Sequence, residues 1–348
     1  VRLQGDVGGG GGRTIRRAQP PMPTLTIRPP ADYFLARDVC SYGYFLLAPN
    51  FWDVRRGVFA TVLAPSGRAL GVIVSQPQGP GSPLKVSLSR AVTTAQRSTI
   101  TTLLTRMLRL DEPAGVIAEF HSLDPRFAAA GRGRLMRSST LFEDVIKTVT
   151  SCNVTWPSTI AMNTRLCEVL GAGLTHGKIK RFAFPTAAKV AKTSPATLRA
   201  RCRVGYRDVR IVQLAKLFCT SARHGGIDSQ LLEDPATPDE TVFAYLLELP
   251  GIGPYAAANI MQLLGRYSRL PLDTESVRHG RAVMGLKGSA VAIMKRVYKH
   301  FKPMGQHAFR SYWFELWEHY EKKHGPSHTW ERDTTGRMFT AALLNKSE

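Results

Sequence analysis

The sequence predicts an α+β protein, a small antiparallel sheet domain followed by a larger helical body. Three observations carry this. Between Thr24 and about Val92 the chain runs in short β-branched or aromatic segments, separated by Pro, Gly, Asn and Arg turns. After Ala91 the apolar residues recur at helical spacing. From Ser138 onward nearly every segment reads as a helix joined to the next by a short loop. At 348 residues the chain is long enough for two domains with a substantial core.

Residues 1–23, VRLQGDVGGGGGRTIRRAQPPMP, are rich in Gly, Arg and Pro and read as a disordered tail. The tail has no apolar signal core. It lacks an initiator Met, while Met22 opens the run MPTLTIRPPADYF. Its first residues therefore read as upstream translation or a fragment end, with an Arg-rich organelle address as the alternative. TLTIRP, YGYFLLA, GVFATVLA, ALGVIVSQ and LKVSLSR are the strand candidates, with a short helix over 31–40. TTAQRSTITTLLTRMLRL and PAGVIAEFHSL are the first long helical patterns. The sheet domain with its flanking helix is expected over 24–124 and the helical body over 125–348. No internal repeat is found.

Lys and Arg number 47 against 26 acidic residues, a net charge of +21. Without the first 21 residues the excess is still +18, so it belongs to the folded body. This points to a polyanionic partner held by salt-sensitive contacts, against the alternative of a basic protein that binds nothing. The five cysteines, Cys40, Cys152, Cys167, Cys202 and Cys219, are odd in number, widely spaced and without a CxxC pair. That argues against a zinc ribbon or a disulfide scaffold and for a reducing, intracellular compartment. No apolar run is long enough to span a membrane.

The most informative segment is Leu249-Pro250-Gly251-Ile252-Gly253-Pro254-Tyr255. Val242, Tyr245, Leu246 and Leu249 form one apolar helical face, and Pro250 stops that helix. Gly251 and Gly253 permit positive φ or close approach to a ligand. Pro254 fits the first turn of a second helix, which continues through Ala256, Ala257, Ile260, Met261 and Leu264. Backbone amides at Gly251, Gly253 and the helix start would then face outward and hold a phosphate. The bland alternative is an ordinary turn between two helices. About twenty residues on, Leu272-Asp273-Thr274 places Asp273 at a helix N-cap. The cap hydrogen bonds are expected to keep that carboxylate ionised, able to stabilise positive charge developing on a sugar. Capping alone is the other reading.

LPGIGPYAAANIMQLLG followed by LDTES resembles the helix-hairpin-helix-GPD superfamily of DNA base-excision glycosylases. The likeness is motif-sharp over about 138–320 and architectural over 24–124. It implies two helical lobes behind the sheet, Asp273 as catalytic carboxylate, and Gly251, Ile252 and Gly253 as DNA-binding hairpin positions. The cysteines do not supply the four-Cys iron–sulfur loop of some relatives. In 8-oxoguanine glycosylases an Asn after the opening helix contacts the base left unpaired by flipping, and Asn153 matches it. Val204-Gly205-Tyr206-Arg207 resembles the segment in which a Tyr wedges into the stack and an Arg contacts the opposite base. For Asn153 a local helix-ending bond is the alternative; for Tyr206 and Arg207, core packing and solvent exposure.

Tyr255 stands where bifunctional members carry a Lys nucleophile. A phenol cannot form a Schiff base, so strand cleavage by that route is not expected. Trp313 falls where a pocket aromatic belongs, and Phe309 where 8-oxoguanine enzymes keep a Gln. With Tyr255 and Asn259 these are the expected base-pocket residues, although Trp313 and Trp317 at i, i+4 could equally be plain core. The implied protein is a monofunctional DNA glycosylase acting on double-stranded DNA with a damaged base, as a monomer. It would work in cytoplasm or nucleoid of a bacterium, or nucleus or organelle of a eukaryote. No metal site and no organic cofactor are expected. The resemblance adds a monovalent cation at the hairpin as an option. The competing readings are a non-catalytic helix-hairpin-helix DNA-binding protein and a bifunctional glycosylase/AP lyase.

Overall fold

The structure, a computed structural model, describes residues 22–176 and 179–331. All but the last two residues of the expected tail lie outside them, as does the chain beyond residue 331. Five strands, β1 (Thr24–Ile27), β2 (Phe51–Asp53), β3 (Val58–Leu63), β4 (Leu70–Ser75) and β5 (Leu84–Leu88), form an antiparallel sheet in the order β1-β5-β4-β3-β2. Period-two burial in β4 and β5 turns Val72, Val74, Val86 and Leu88 to one apolar face. Helix α1 (Leu35–Val39) falls within the short helix expected over 31–40.

The segment YGYFLLA is not a strand. Gly43–Leu46 forms a 3-10 turn with Tyr44, Phe45 and Leu46 all buried. Three consecutive buried side chains suit a tight turn inside the core, because a strand with one solvated face sends alternate residues outward.

The remaining helices are α2 (Thr94–Met107), α3 (Ala114–Leu123), α4 (Leu141–Ser151), α5 (Trp156–Leu170), α6 (Ala187–Ala191), α7 (Pro195–Thr197), α8 (Asp208–Cys219), α9 (Ser229–Glu233), α10 (Asp239–Leu247), α11 (Pro254–Leu264), α12 (Thr274–Ala282), α13 (Ala290–Phe301) and α14 (Ala308–His324). Helix α2 opens on a reciprocal capping box between Thr93 and Gln96. One β-hairpin, β6 (Gly173–His176) with β7 (Ile179–Phe182), interrupts the helical body. Leu174 of this hairpin packs in a small cluster with Val62, Ala69 and Ala183, tying the hairpin to the sheet.

The apolar packing does not divide at residue 124. One core joins the sheet, α2 and α3 to residues of α12, α13 and α14 from the far end of the chain. The other is built by α4, α5, α8, α10 and α11. Helix α11 is the wall between them: Ala256, Ala257, Ile260 and Met261 face the second core and Leu263 the first. Two buried arginines hold its C-terminal end. Arg109 Nη2 donates to the Gln262 and Leu263 carbonyls at 2.7 and 2.8 Å, and Arg137 Nη1 to Leu263 at 3.2 Å. These cations meet carbonyls at the negative end of the helix, the Gln262 carbonyl also accepting from the Gly265 amide at 3.0 Å. They fix the helix whose other end carries the glycine hairpin.

Candidate active site

The hairpin forms as its sequence dictates, with different duties for its two glycines. Gly251 takes φ +76°, which an L side chain rarely adopts. Gly253 is the N-cap of α11 at φ −96°, an ordinary value, and a Cβ there would meet nothing within 4 Å. Gly253 is therefore free of internal reasons to be glycine and leaves bare backbone toward solvent. Among the described residues neither glycine amide donates to the protein. Ile252 differs from expectation. Its side chain is buried and its amide donates to the Leu249 carbonyl at 3.1 Å, so it anchors the turn from inside and offers no outward donor. Pro254 occupies the first turn of α11, where a missing N–H costs nothing.

Asp273 caps α12. Its Oδ1 accepts from the amides of Glu275 at 2.9 Å and Ser276 at 3.2 Å, and its own amide donates to Ser276 Oγ at 3.2 Å. Ser276 Oγ in turn lies 3.0 Å from the Tyr312 hydroxyl. These bonds favour the ionised form, as does hydrogen bonding from the Tyr255 phenol, but burial and the neighbouring Glu275 charge outweigh them. The Asp273 carboxyl is pushed from 3.8 up to about 6. The carboxylate therefore remains ionised at pH 7, with less margin than its cap alone would give.

Near Asp273 lies a cluster of aromatic side chains. Burial, and then the Asp273 charge, hold the Tyr255 and Tyr312 phenols well above their ordinary range. Tyr42, from the turn before the buried Gly43–Leu46 segment, donates to Asn259 Oδ1 at 3.0 Å. Asn259 Nδ2 donates to Thr148 Oγ1 at 3.3 Å, so both ends of this amide are committed inside the protein. The Tyr42 ring sits 4.8 Å from Trp313, whose Nε1 donates to the Ser41 carbonyl at 2.8 Å. Trp313 is half-buried, with Trp317 stacked behind it at 5.3 Å in the core.

Phe309 lies in the core and is not an accessible pocket residue. It is 1% exposed, sandwiched between Tyr267 and Trp313, with its amide bonded to the Tyr267 carbonyl at 2.8 Å. Its apolar ring suits the core better than a polar rim. The structure therefore brings together Asp273, Tyr255, Asn259 and Trp313, and adds Tyr42, Thr148 and Tyr312. A separate cavity of about 580 Å³, lined by Phe34, Arg37, Arg132 and Glu321 among others, contains none of them.

The positions expected to enter a base stack lie on a neighbouring surface. Asn153 follows α4 at φ +52° and is exposed. Tyr206 is 56% exposed. Arg207 is only 5% exposed, with Nε donating to the Val149 carbonyl at 3.1 Å and Nη2 to the Cys152 carbonyl. In this structure it faces inward, against the expectation of an outward reader. An arginine that sequence reasoning did not single out, Arg210, is exposed, lies 5.7 Å from the Tyr206 ring and packs along Gly251. It joins the Tyr206 surface to the hairpin. Among the described residues no cluster of His, Cys, Asp and Glu could hold a metal ion, and no helix is long and apolar enough to cross a membrane.

No family model and no curated protein matches the chain. Solved structures do. The chain is similar to a 3-methyladenine DNA-glycosylase from Archaeoglobus fulgidus, with a TM-score of 0.58 at 18% identity over 85% of this chain and 97% of that one. It is similar to the apo-form of an 8-oxoguanine glycosylase/lyase from Clostridium acetobutylicum, with a TM-score of 0.61 at 17% identity over 84% and 96%. The same glycosylase/lyase in complex with double-stranded DNA containing cytosine opposite 8-oxoG gives a TM-score of 0.58 at 16% identity over 82% and 93%. The fold is that of these DNA glycosylase structures. At these identities the likeness establishes architecture, and the chemistry is argued from the site.

Proposed function

We propose that this protein is a monofunctional DNA glycosylase of base-excision repair. The observation that carries the reading is Asp273: a half-buried carboxylate, held at a helix N-terminus with its pKa raised to about 6 and hydrogen-bonded by Tyr255, the residue that follows the glycine hairpin. The hairpin and the basic surface grip DNA phosphates through amides, Arg210 and neighbouring cations. A damaged nucleotide leaves the stack and its base enters beside Trp313 and Tyr42. The C1′–N bond then breaks with its electron pair leaving on the base. Asp273 stabilises the oxocarbenium-like sugar and takes a proton from the water that adds at C1′. The products are free base and an abasic site.

Tyr255 supports the monofunctional form, because it stands beside Asp273 where a Schiff base would need an amine. The leading influences on the Asp273 carboxyl are burial, Glu275, Ser276 and Tyr255, none of them an amine. A monovalent cation belongs to the proposal only as a hairpin ligand: open backbone at Gly251 and Gly253 would admit it, and no step runs through it. The enzyme is proposed to act as a monomer. The test is incubation with duplexes carrying single lesions, with products resolved before and after alkali. Strand breaks only after alkali, with no borohydride-trapped protein–DNA adduct, are expected. Adduct formation matching turnover, lost on replacing one native Lys, would establish the lyase alternative. Binding without excision of any lesion would leave the non-catalytic reading.

A further inference from the structure

The surface beside the hairpin contains a device that the glycosylase reading does not use. Asn153 and Tyr206 stand 53 positions apart in the sequence, yet one buried guanidinium touches the backbone or ring of both regions. Arg207 Nε donates to Val149 at 3.1 Å, Nη1 to Val204 at 3.3 Å and Nη2 to Cys152, the residue immediately before Asn153. Its Cζ lies 4.5 Å from the centre of the Tyr206 ring. Helix α4 has no basic residue in its last turn and no glycine C-cap. Ser151 Oγ and Cys152 Sγ donate to the Thr148 carbonyl, and Arg207 supplies the donor for Val149.

We propose that Arg207 is a positioning residue that clamps the Tyr206 ring and the Asn153 turn into one rigid wedge, and that it does not read the base opposite the lesion. A reader needs two parallel donors free to meet a base edge. Here Nη1 and Nη2 are both turned to backbone carbonyls. What the clamp presents outward is Tyr206 at 56% exposure, and Val154 after Asn153 and Val209 on α8 are exposed as well. Such an apolar group can replace stacking lost when a nucleotide leaves the duplex. Asn153, with an uncommitted amide, is left to face the orphaned base. The DNA substrate of this proposal rests on the function proposed above, whereas the clamp geometry does not.

The test uses the full chain with Arg207→Ala and Arg207→Lys beside the unmodified protein. The first readout is fluorescence of 2-aminopurine at the extruded position of a duplex, which reports flipping without chemistry. The second is single-turnover excision of one lesion from a duplex and from an unpaired bubble, with all four opposite bases in the duplex. For Arg207→Ala the 2-aminopurine signal and duplex excision are expected to fall ~10-fold, bubble excision to change less than ~2-fold, and the ratios among the four opposite bases to stay unchanged. Lys is expected to recover part of the loss, because an ammonium can bond a carbonyl but cannot stack as a plane. Altered ratios among opposite bases would overturn the proposal in favour of a reader. Equal loss on duplex and bubble would reduce Arg207 to holding the fold. If the unmodified protein excised nothing, the glycosylase reading would fail, and the 2-aminopurine signal would still decide the clamp.

Discussion

Two regions meet at the candidate site, and they are built on different ranges of the chain. The hairpin with its acid is local: Pro250, Gly251, Gly253, Pro254 and Asp273 each obey a rule of helix ends that acts within a few residues. The aromatic cluster near it is assembled from afar. The Tyr42–Asn259 bond spans 217 positions, and Trp313 Nε1 reaches the Ser41 carbonyl across 272. The local region places the carboxylate, and burial together with the adjacent Glu275 charge raises its pKa. The distant region contributes the aromatic pair Tyr42 and Trp313. The account therefore requires the two regions to fail in different ways when they are damaged.

The largest effect is expected in the local region. Asp273→Asn keeps the cap and the shape but removes the charge, and should slow single-turnover excision ~100-fold or more while leaving DNA affinity within a few-fold. An unchanged rate would remove the catalytic assignment. Damage to the distant region should be smaller and selective. Trp313→Ala deletes the stacking face and the bond to Ser41, and is expected to lower excision by about 10–100-fold without weakening binding to undamaged duplex. Equal loss of both would mean that Trp313 merely supports the core.

Gly253→Val sharpens the hairpin's role, because a side chain there meets no protein atom. DNA affinity is expected to fall about 10-fold with a salt dependence otherwise retained, while thermal stability moves little. An affinity equal to that of the unmodified protein would show that DNA does not approach this backbone.

The last expectation concerns stability. The folded-state pKa of Asp273, about 6, lies above its ordinary 3.8. Between those values the folded chain binds more protons than the unfolded one, so stability falls as pH rises through that window and the cost is constant above it. Asp273→Asn removes the cost. It should stabilise the protein at pH 8 by up to about 3 kcal/mol and have no such effect near pH 3. Calorimetry at several pH values checks the sign.

The same contrast explains what was legible in the sequence. Strands β1, β3, β4 and β5, the principal helices, the hairpin and the Asp273 cap follow from periodicity and capping chemistry, which are properties of short windows. The buried turn at Gly43–Leu46 reads as a strand because aromatic and apolar residues satisfy either conformation until tertiary packing decides. Tyr42 carries no local sign of its bond to Asn259. Phe309 was placed by a family position, and only the Tyr267 and Trp313 rings around it show that it is core. The inward turn of Arg207 had a faint signal: α4 ends without a cation or a glycine to satisfy its last carbonyls. The shared core of the sheet and α12–α14 had none, because no local pattern tells an apolar helix face which partner it will meet.

The pH dependence of kcat/KM for excision, measured from pH 4.5 to 8 on one lesion duplex with salt held constant, tests the joint work of the two regions most directly. It reports the titration of essential groups in the free enzyme. With Asp273 required as the carboxylate and its pKa raised by burial and the Glu275 charge to about 6, the rate should be level above pH 7. It should bend near pH 6 and fall about 10-fold per pH unit below 5. A profile that stays flat down to pH 4.5 would mean that the group doing the chemistry is not a buried carboxylate at this site, and would contradict the account.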